Sequence, residues 1–106
     1  MRGSLVTVAM NGDYGKPRPA LVVQADAFGD HPTVSLLPIT GTLIDAPLLR
    51  VTIQPTPGNG LQKTSQVMID KTMTVKREKL GAAFGRLDHK QMLEIERRLI
   101  VFLGIG

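Results

Sequence analysis

Short runs of Val, Ile, Leu and Thr alternate with Pro and Gly from the start of the chain to Arg86. Apolar runs bounded by turn residues in this way are typical of β-strands. The pattern predicts five strands and two shorter strand segments, which are Leu5–Met10, Ala20–Gln24, Thr33–Leu37, Leu49–Ile53, Gln66–Ile69, Met73–Val75 and Ala82–Gly85.

Two of these strands differ in how their side chains alternate. Residues Arg50 to Gln54 alternate polar and apolar positions, which indicates a strand with one face in water. Residues Ala20 to Val23 are all apolar, which indicates a strand covered on both faces.

The chain after Leu87 has the periodicity of a helix. Asp88 has the position of an N-cap, and Gln91 follows it at the spacing of a capping box. Gly104 then marks the end of a helix of about four turns. Apolar residues recur on one face of this helix at Met92, Ile95, Leu99 and Phe102. We expect Phe102, and Phe84 in the last strand segment, to lie in the core.

Length and composition favour one small domain over residues 1–106. The chain has 106 residues, of which 42% are hydrophobic, and it has no cysteine. The elements predict a mainly β fold with one α-helix, either a small antiparallel β-barrel or a strongly bent sheet with the C-terminal helix packed on it. Because a domain of this size leaves much of its surface in water, we expect a homodimer.

The apolar segments are too short for export or membrane insertion. The N-terminal run from Leu5 ends at Met10, before Asn11 and Gly12, which is too short for the core of a signal peptide. The longest apolar run, Leu99–Leu103, cannot cross a bilayer, which needs about 20 residues. We therefore expect a cytoplasmic protein that does not enter the membrane.

Charge and residue types narrow the chemistry. The net charge of +4 permits an anionic partner. Metal catalysis is not favoured, because the chain lacks cysteine and has two histidines, His31 and His89, without ligand spacing. We expect no metal and no cofactor.

Arg18 is the first residue that indicates a specific chemistry. It stands between Pro17 and Pro19, which fix the backbone on either side of it, and it leads into the apolar strand. A guanidinium on a stiff arm suits a phosphodiester that gains charge in a transition state. The alternative is that Arg18 covers one end of the barrel and pairs with a carboxylate.

Thr40 and Asp70 follow predicted strands, where side chains emerge into loops. Asp70 could act as a general base or orient Arg18, and the Thr40 hydroxyl could bond a phosphate oxygen. The alternative is that both residues cap turns.

A series of short blocks, in order along nearly the whole chain, resembles the MazF, PemK and Kid family of bacterial toxins. The blocks are Arg2-Gly3, Arg18-Pro19-Ala20-Leu21-Val22-Val23, Asp26-Ala27-Phe28, Pro38-Ile39-Thr40, Ala46-Pro47-Leu48, Gly60-Leu61, Ser65-Gln66-Val67-Met68-Ile69-Asp70-Lys71 and Gly85-Arg86-Leu87.

The resemblance implies a sequence-specific, metal-independent endoribonuclease of a type II toxin–antitoxin system on an SH3-like barrel. Such enzymes are usually homodimers, and an antitoxin with an acidic tail inhibits them. They cleave single-stranded RNA by attack of a ribose 2′-hydroxyl on the adjacent phosphate, which leaves 2′,3′-cyclic phosphate and 5′-hydroxyl ends.

The resemblance also implies roles for individual residues. Arg18 matches the family's catalytic arginine, Thr40 its Pro-Ile-Thr threonine, and Asp70 an aspartate assigned to the site in the Kid branch. Met68 and Met73 depart from the family, because each stands where an arginine is common. The step that protonates the leaving oxygen thus lacks its obvious donor.

Contacts to RNA beyond these three residues are expected from basic and hydrogen-bonding side chains, and we expect any base stacking to rest mainly on Tyr14. The candidates for RNA binding are Tyr14, Lys16, Lys71, Thr72, Lys76 and Arg77, with Arg50, Lys63 and Lys79 as further cations. Two alternatives stay open. One is a non-enzymatic gyrase inhibitor similar to CcdB, and the other is an inactive binding module of the same fold.

Overall fold

The computed structural model describes residues 1–9 and 16–106, and these residues form seven β-strands and one α-helix. The strands are β1 (Ser4–Ala9), β2 (Pro17–Val22), β3 (Thr33–Thr40), β4 (Arg50–Ile53), β5 (Ser65–Met68), β6 (Met73–Lys76) and β7 (Leu80–Arg86), and the helix is α1 (His89–Leu103). Short 3-10 turns occupy Asp26–Phe28 and Arg77–Lys79. The prediction of a mainly β fold with a C-terminal helix is confirmed. Met10 and Tyr14, the predicted end of the first strand and the predicted stacking residue, lie outside the described residues.

Two strands extend beyond their predicted bounds at the ends that carry Arg18 and Thr40. β2 begins at Pro17, and both Pro17 and Pro19 pair across to β1. Proline fits this position because its fixed φ is compatible with extended backbone, and because a residue at the end of a strand need not donate a backbone hydrogen bond. β3 continues to Thr40. Arg18 and Thr40 are therefore held by sheet pairing.

All strand pairs are antiparallel. The hydrogen-bonded order is β4-β5-β3-β2-β1-β7, and β6 pairs with β3 beside this path. Within the described residues no pairing joins β4 to β7, so the sheet is bent and open rather than a closed barrel.

One edge of β3 is shared by two strands. β6 pairs with the first half of β3, as far as the Leu36 to Met73 position, and β5 pairs with the end of β3, from Ile39 to Thr40. Pro38, which has no backbone N–H, lies between the two ladders. The sheet consequently has a gap between β5 and β6 beside Pro38.

The two faces of the sheet bury separate apolar clusters. One cluster joins the sheet to α1 and includes Leu21, Leu37 and Ile95. The other lies on the opposite face of the same strands and includes Ala20 and Val22. Alternate residues of β2 thus enter different clusters, which confirms that this strand is covered on both faces.

A loop between β4 and β5 is held together by Asn59, which is 1% exposed, and is joined to β7 by the backbone N–H of Arg86, which donates to the carbonyl of Gly58. The Asn59 side chain accepts hydrogen bonds from the backbone N–H groups of Thr56 and Leu61 and donates one to the carbonyl of Gln54. A Cβ on Gly85 would overlap the backbone of Asn59, so only glycine allows this approach. The loop is therefore ordered by its own bonds and by contact with β7.

The helix begins and ends as predicted, but its last turn is not covered. Both hydrogen bonds of the Asp88 capping box are present, and Gly104 has the left-handed conformation of a C-cap. Only Met92 and Ile95 are buried, while Phe102 is 45% exposed and Phe84 is 37% exposed. The prediction that both phenylalanines lie in the core is wrong. The helix runs past the cluster that covers its first turns, and Phe84 lines a surface cleft described below. None of the described helices has the length and apolar character needed to span a bilayer.

The burial difference along α1 predicts unequal effects of two truncations. Ile95→Ala should lower the free energy of unfolding by about 2–5 kcal/mol because it leaves a cavity in the core. Phe102→Ala should lower it by roughly 1 kcal/mol, about half of what full burial of such a side chain contributes. Urea denaturation followed by circular dichroism measures both. Equal losses would contradict the exposure of Phe102.

Asp26 should make stability depend on pH in acid. The backbone N–H of Arg2 donates to Asp26 Oδ1 at 2.8 Å, and this bond, with the adjacent N-terminal ammonium group, lowers the pKa of Asp26 below 3.8. The stabilisation is therefore present at neutral pH and is lost as the pH falls through the folded-state pKa. Between about pH 6 and pH 3 the urea midpoint should fall less for Asp26→Asn than for the wild type. Parallel curves would contradict this role.

Candidate active site

Two adjoining clefts open where β2 begins and β3 ends. We name them the polar cleft and the methionine cleft. Both are lined by Arg18, Pro19, Ile39 and Thr40. The polar cleft, of about 790 Å³, also contacts Thr7, Thr42, Lys63 and Phe84. The methionine cleft, of about 360 Å³, also contacts Val8, Pro38, Met68, Lys71 and Met73.

The alternation of β2 and β3 explains why Arg18 and Thr40 meet. On β2, Val22 and Ala20 enter the second apolar cluster, and Arg18 is the next residue on that face. On β3, Leu36 enters the same cluster, and Thr40 lies further along the same face. The antiparallel register pairs Ala20 with Pro38, so one more step of alternation on each strand brings Arg18 and Thr40 to the same place.

The geometry of Thr40 is compatible with both roles considered for it, a turn cap and a contact to phosphate. Its hydroxyl oxygen accepts a hydrogen bond from the backbone N–H of Thr42 at 3.0 Å, which caps the turn after β3. The hydroxyl retains a proton to donate to an anion in the cleft. The turn bond thus orients the group.

Asp70 lies beside the clefts. It is in a turn closed by the backbone N–H of Lys71 to the carbonyl of Met68 at 3.3 Å. Its carboxylate is 3.2 Å from Lys71 Nζ, and the Asp70 side chain is 22% exposed. Lys71 lines the methionine cleft, whereas Asp70 is not among the described side chains that line either cleft. The structure therefore brings Arg18, Thr40 and Lys71 together at the methionine cleft. Asp70 is paired with Lys71 but does not line either cleft.

The other predicted RNA-binding residues fall into two groups, one near the clefts and one far from them. Lys16 is exposed directly before β2, and Thr72 is exposed between Lys71 and the methionine cleft's Met73. Lys76 pairs with Thr33, at the opposite end of β3 from Thr40, a distance of roughly 23 Å for an extended strand. Arg77 lies next to Lys76 and donates to the carbonyl of His31 at 2.9 Å. The structure does not bring Lys76 and Arg77 to the clefts.

Phe84 and Gln66 are site features that the sequence analysis missed. Phe84 gives the polar cleft an aromatic wall. Gln66 is 5% exposed and sits opposite Thr40 in the β3–β5 ladder. Its side-chain amide bonds both the N–H and the carbonyl of Ile44, while its oxygen also accepts from Arg50, which in turn donates to the carbonyl of Thr42. Gln66 therefore fixes the loop that follows Thr40.

No sequence spacing distinguishes Gln66 from an ordinary strand residue, because its partners lie on a loop 22 positions away. The only available signal was a polar side chain within an apolar strand.

The family model for PemK-like, MazF-like toxins of type II toxin–antitoxin systems matches residues 1–103. The chain belongs to this toxin family. A probable endoribonuclease MazF from Mycolicibacterium smegmatis is 48% identical to the toxin over 106 residues, which cover 99% of this chain and 97% of that protein. This match favours the nuclease prediction over the gyrase-inhibitor alternative.

Solved structures share the toxin's fold. The Mycobacterium tuberculosis toxin MazF-mt6 has a TM-score of 0.82 at 23% identity, covering 97% of this chain and 98% of its own. A MazE-MazF structure from Deinococcus radiodurans has a TM-score of 0.81 at 22% identity, covering 99% and 96%. A mycobacterial endoribonuclease in complex with its cognate antitoxin has a TM-score of 0.83 at 23% identity, covering 100% and 96%.

The bonds of Gln66 predict a stability defect that a neighbouring glutamine does not share. Gln66→Ala should lower the free energy of unfolding by about 1–3 kcal/mol, because it removes the hydrogen-bond partners of the Ile44 backbone. Gln62→Ala, at an exposed position of the polar cleft, should change it by less than about 0.5 kcal/mol. Urea midpoints compare the two. Equal values would show that the Gln66 bonds do not hold this loop.

Proposed function

We propose that this endoribonuclease toxin cleaves single-stranded mRNA at specific sequences in the two clefts at Arg18, without a metal ion. The single observation that carries the proposal is the convergence of Arg18 and Thr40 on both clefts. In the reaction, a ribose 2′-oxygen attacks the adjacent phosphorus and the bond to the 5′-oxygen breaks. The products carry 2′,3′-cyclic phosphate and 5′-hydroxyl ends.

Arg18 stabilises the charge that develops on the phosphoryl oxygens. Its guanidinium presents several N–H donors in a plane, and the flanking prolines limit how far the backbone moves. The Thr40 hydroxyl donates a hydrogen bond to one of the same oxygens. Groups fixed before the reaction need no reorganisation as charge develops, which is the usual source of such rate enhancement.

The proton transfers need a base for the 2′-hydroxyl and a donor for the leaving 5′-oxygen. Asp70, whose carboxylate lies 3.2 Å from Nζ of the cleft residue Lys71, is the proposed base. Lys71 is the second cation that lines the methionine cleft, beside Arg18, and it takes the place of the arginines that are absent at positions 68 and 73. It donates a hydrogen bond to the departing 5′-oxygen, which takes its proton from solvent water in the open cleft to give the 5′-hydroxyl.

The same surface suits the proposed protein partners. Arg18, Lys63 and Lys71 would attract the acidic tail of a cognate antitoxin, which would then exclude RNA from the clefts. We propose further that the chain is one toxin domain over residues 1–106, that it acts in the cytoplasm where its substrate is made, and that it is a homodimer. Apolar side chains exposed in the last turn of α1 support self-association, namely Val101, Phe102 and Leu103.

Cleavage of a long single-stranded RNA in excess EDTA tests the reaction. The wild type should cut at a short recurring sequence and leave the ends named above. Arg18→Ala should reduce the rate by about 100-fold or more, as expected for loss of one transition-state donor, and Arg18→Lys by less because the charge remains. The unfolding midpoint of Arg18→Ala should stay close to that of the wild type because Arg18 is exposed.

Lys76→Ala is the matched control, because it removes a cation far from the clefts. It should leave the chemical step unchanged. Full activity of Arg18→Ala, or a requirement for added metal, would refute the proposed mechanism.

A further inference from the structure

We propose that the methionine cleft binds a nucleobase of the RNA, on a nucleotide that flanks the scissile phosphate. The inference rests on the proposed function, because Arg18 and Thr40 place that phosphate at the mouth of the cleft. It assigns a recognition role to the two positions, Met68 and Met73, that lack the family's arginines.

The cleft is built by the divided edge of β3. Met68 is the last residue of β5 and Met73 is the first of β6. Since β5 and β6 pair with different halves of β3, the two methionines stand at the strand ends that border the gap beside Pro38, and no strand of the described residues fills that gap. The opening is thus a fixed feature of the sheet, with a volume of about 360 Å³. This volume is at the lower end of the roughly 300–1,000 Å³ that small-molecule sites occupy.

The lining suits a flat aromatic ring. The buried side chains of Val8 and Ala20 lie at its base, and Pro19 and Pro38 line it with Met68 and Met73. Methionine thioethers make favourable contacts with aromatic rings and adapt to rings of different size.

The charges are on the rim. Lys71, whose side chain is 61% exposed, lines the cleft together with Arg18. An apolar interior with two cations at its edge matches a nucleotide, with the base inside and the phosphates outside. An apolar protein side chain or a lipid tail would bring no anionic group to this charged rim.

Methionine methyl NMR tests this without relying on cleavage. The chain has 5 methionines, and Met92, which α1 buries in the other cluster, is an internal control. Protein labelled with ¹³C at the methionine methyls is titrated with 2′-deoxy hexanucleotides of adenine, cytosine or uracil, which cannot be cut. The Met68→Leu and Met73→Leu variants assign the signals.

We expect upfield ring-current shifts at Met68 and Met73 with at least one base, and none at Met92. An abasic strand of the same length should give no such shifts. Equal shifts with the abasic strand would show that the cleft responds to phosphate alone and would overturn the proposal.

A kinetic comparison uses two positions on one face of β6. Met73 and Val75 both pack against the second apolar cluster, but only Met73 lines the methionine cleft. Met73→Ala should raise KM for the mapped RNA site by roughly 5-fold or more, the lower range for loss of one stacked base. Val75→Ala should leave KM unchanged. An abasic nucleotide beside the cut should impair the wild type and have little further effect on Met73→Ala.

The outcomes separate the two proposals. Cleavage by the wild type without methyl shifts refutes the base subsite and leaves the proposed function standing. Base-dependent shifts without cleavage would show that the cleft binds a base, but they would refute the proposed function and with it the placement of that base beside a scissile phosphate. Absence of both refutes both, and equal KM values for Met73→Ala and Val75→Ala argue against the subsite even if RNA is cut.

Discussion

The hydrogen bonding of β3 is the constraint on which the rest of the structure depends. Along one edge β3 pairs with β2, and along the other it divides its length between β6 and β5. Pro38 lies at the division, where its missing N–H does no harm to either ladder. This arrangement leaves a gap in the sheet beside Pro38, where the methionine cleft opens.

The sequence predicted what depends on local chemistry. The N-cap at Asp88, the left-handed Gly104 and the burial of Ala20 to Val22 follow from the local sequence pattern. Arg18 and Thr40 were found because a stiff proline arm and a polar residue after an apolar strand are visible in the sequence. Their meeting depends on the β2–β3 register, which the sequence does not specify.

The errors and omissions come from long-range geometry. Periodicity predicted the apolar face of α1, but the extent of the surface that covers it is a property of the whole sheet, so Phe102 was wrongly placed in the core. Phe84 was misplaced for a related reason, since β7 turns it towards a cleft. The role of Gln66 needed the position of a loop that no local pattern determines. The role proposed for Asp70 stays a prediction, since its carboxylate pairs with Lys71 outside the clefts.

The hydrogen bonds of the Asn59 side chain affect which positions of its loop can vary in sequence. These bonds run to backbone groups from Gln54 to Leu61, so they hold the loop whatever side chains follow. Gln62 and Lys63, the next two residues, line the polar cleft and are exposed. The bonds that order the loop and the side chains that line the cleft thus reside in neighbouring but separate parts of one loop. The Asn59 bonds therefore place no constraint on the side chains at these two positions of the cleft wall.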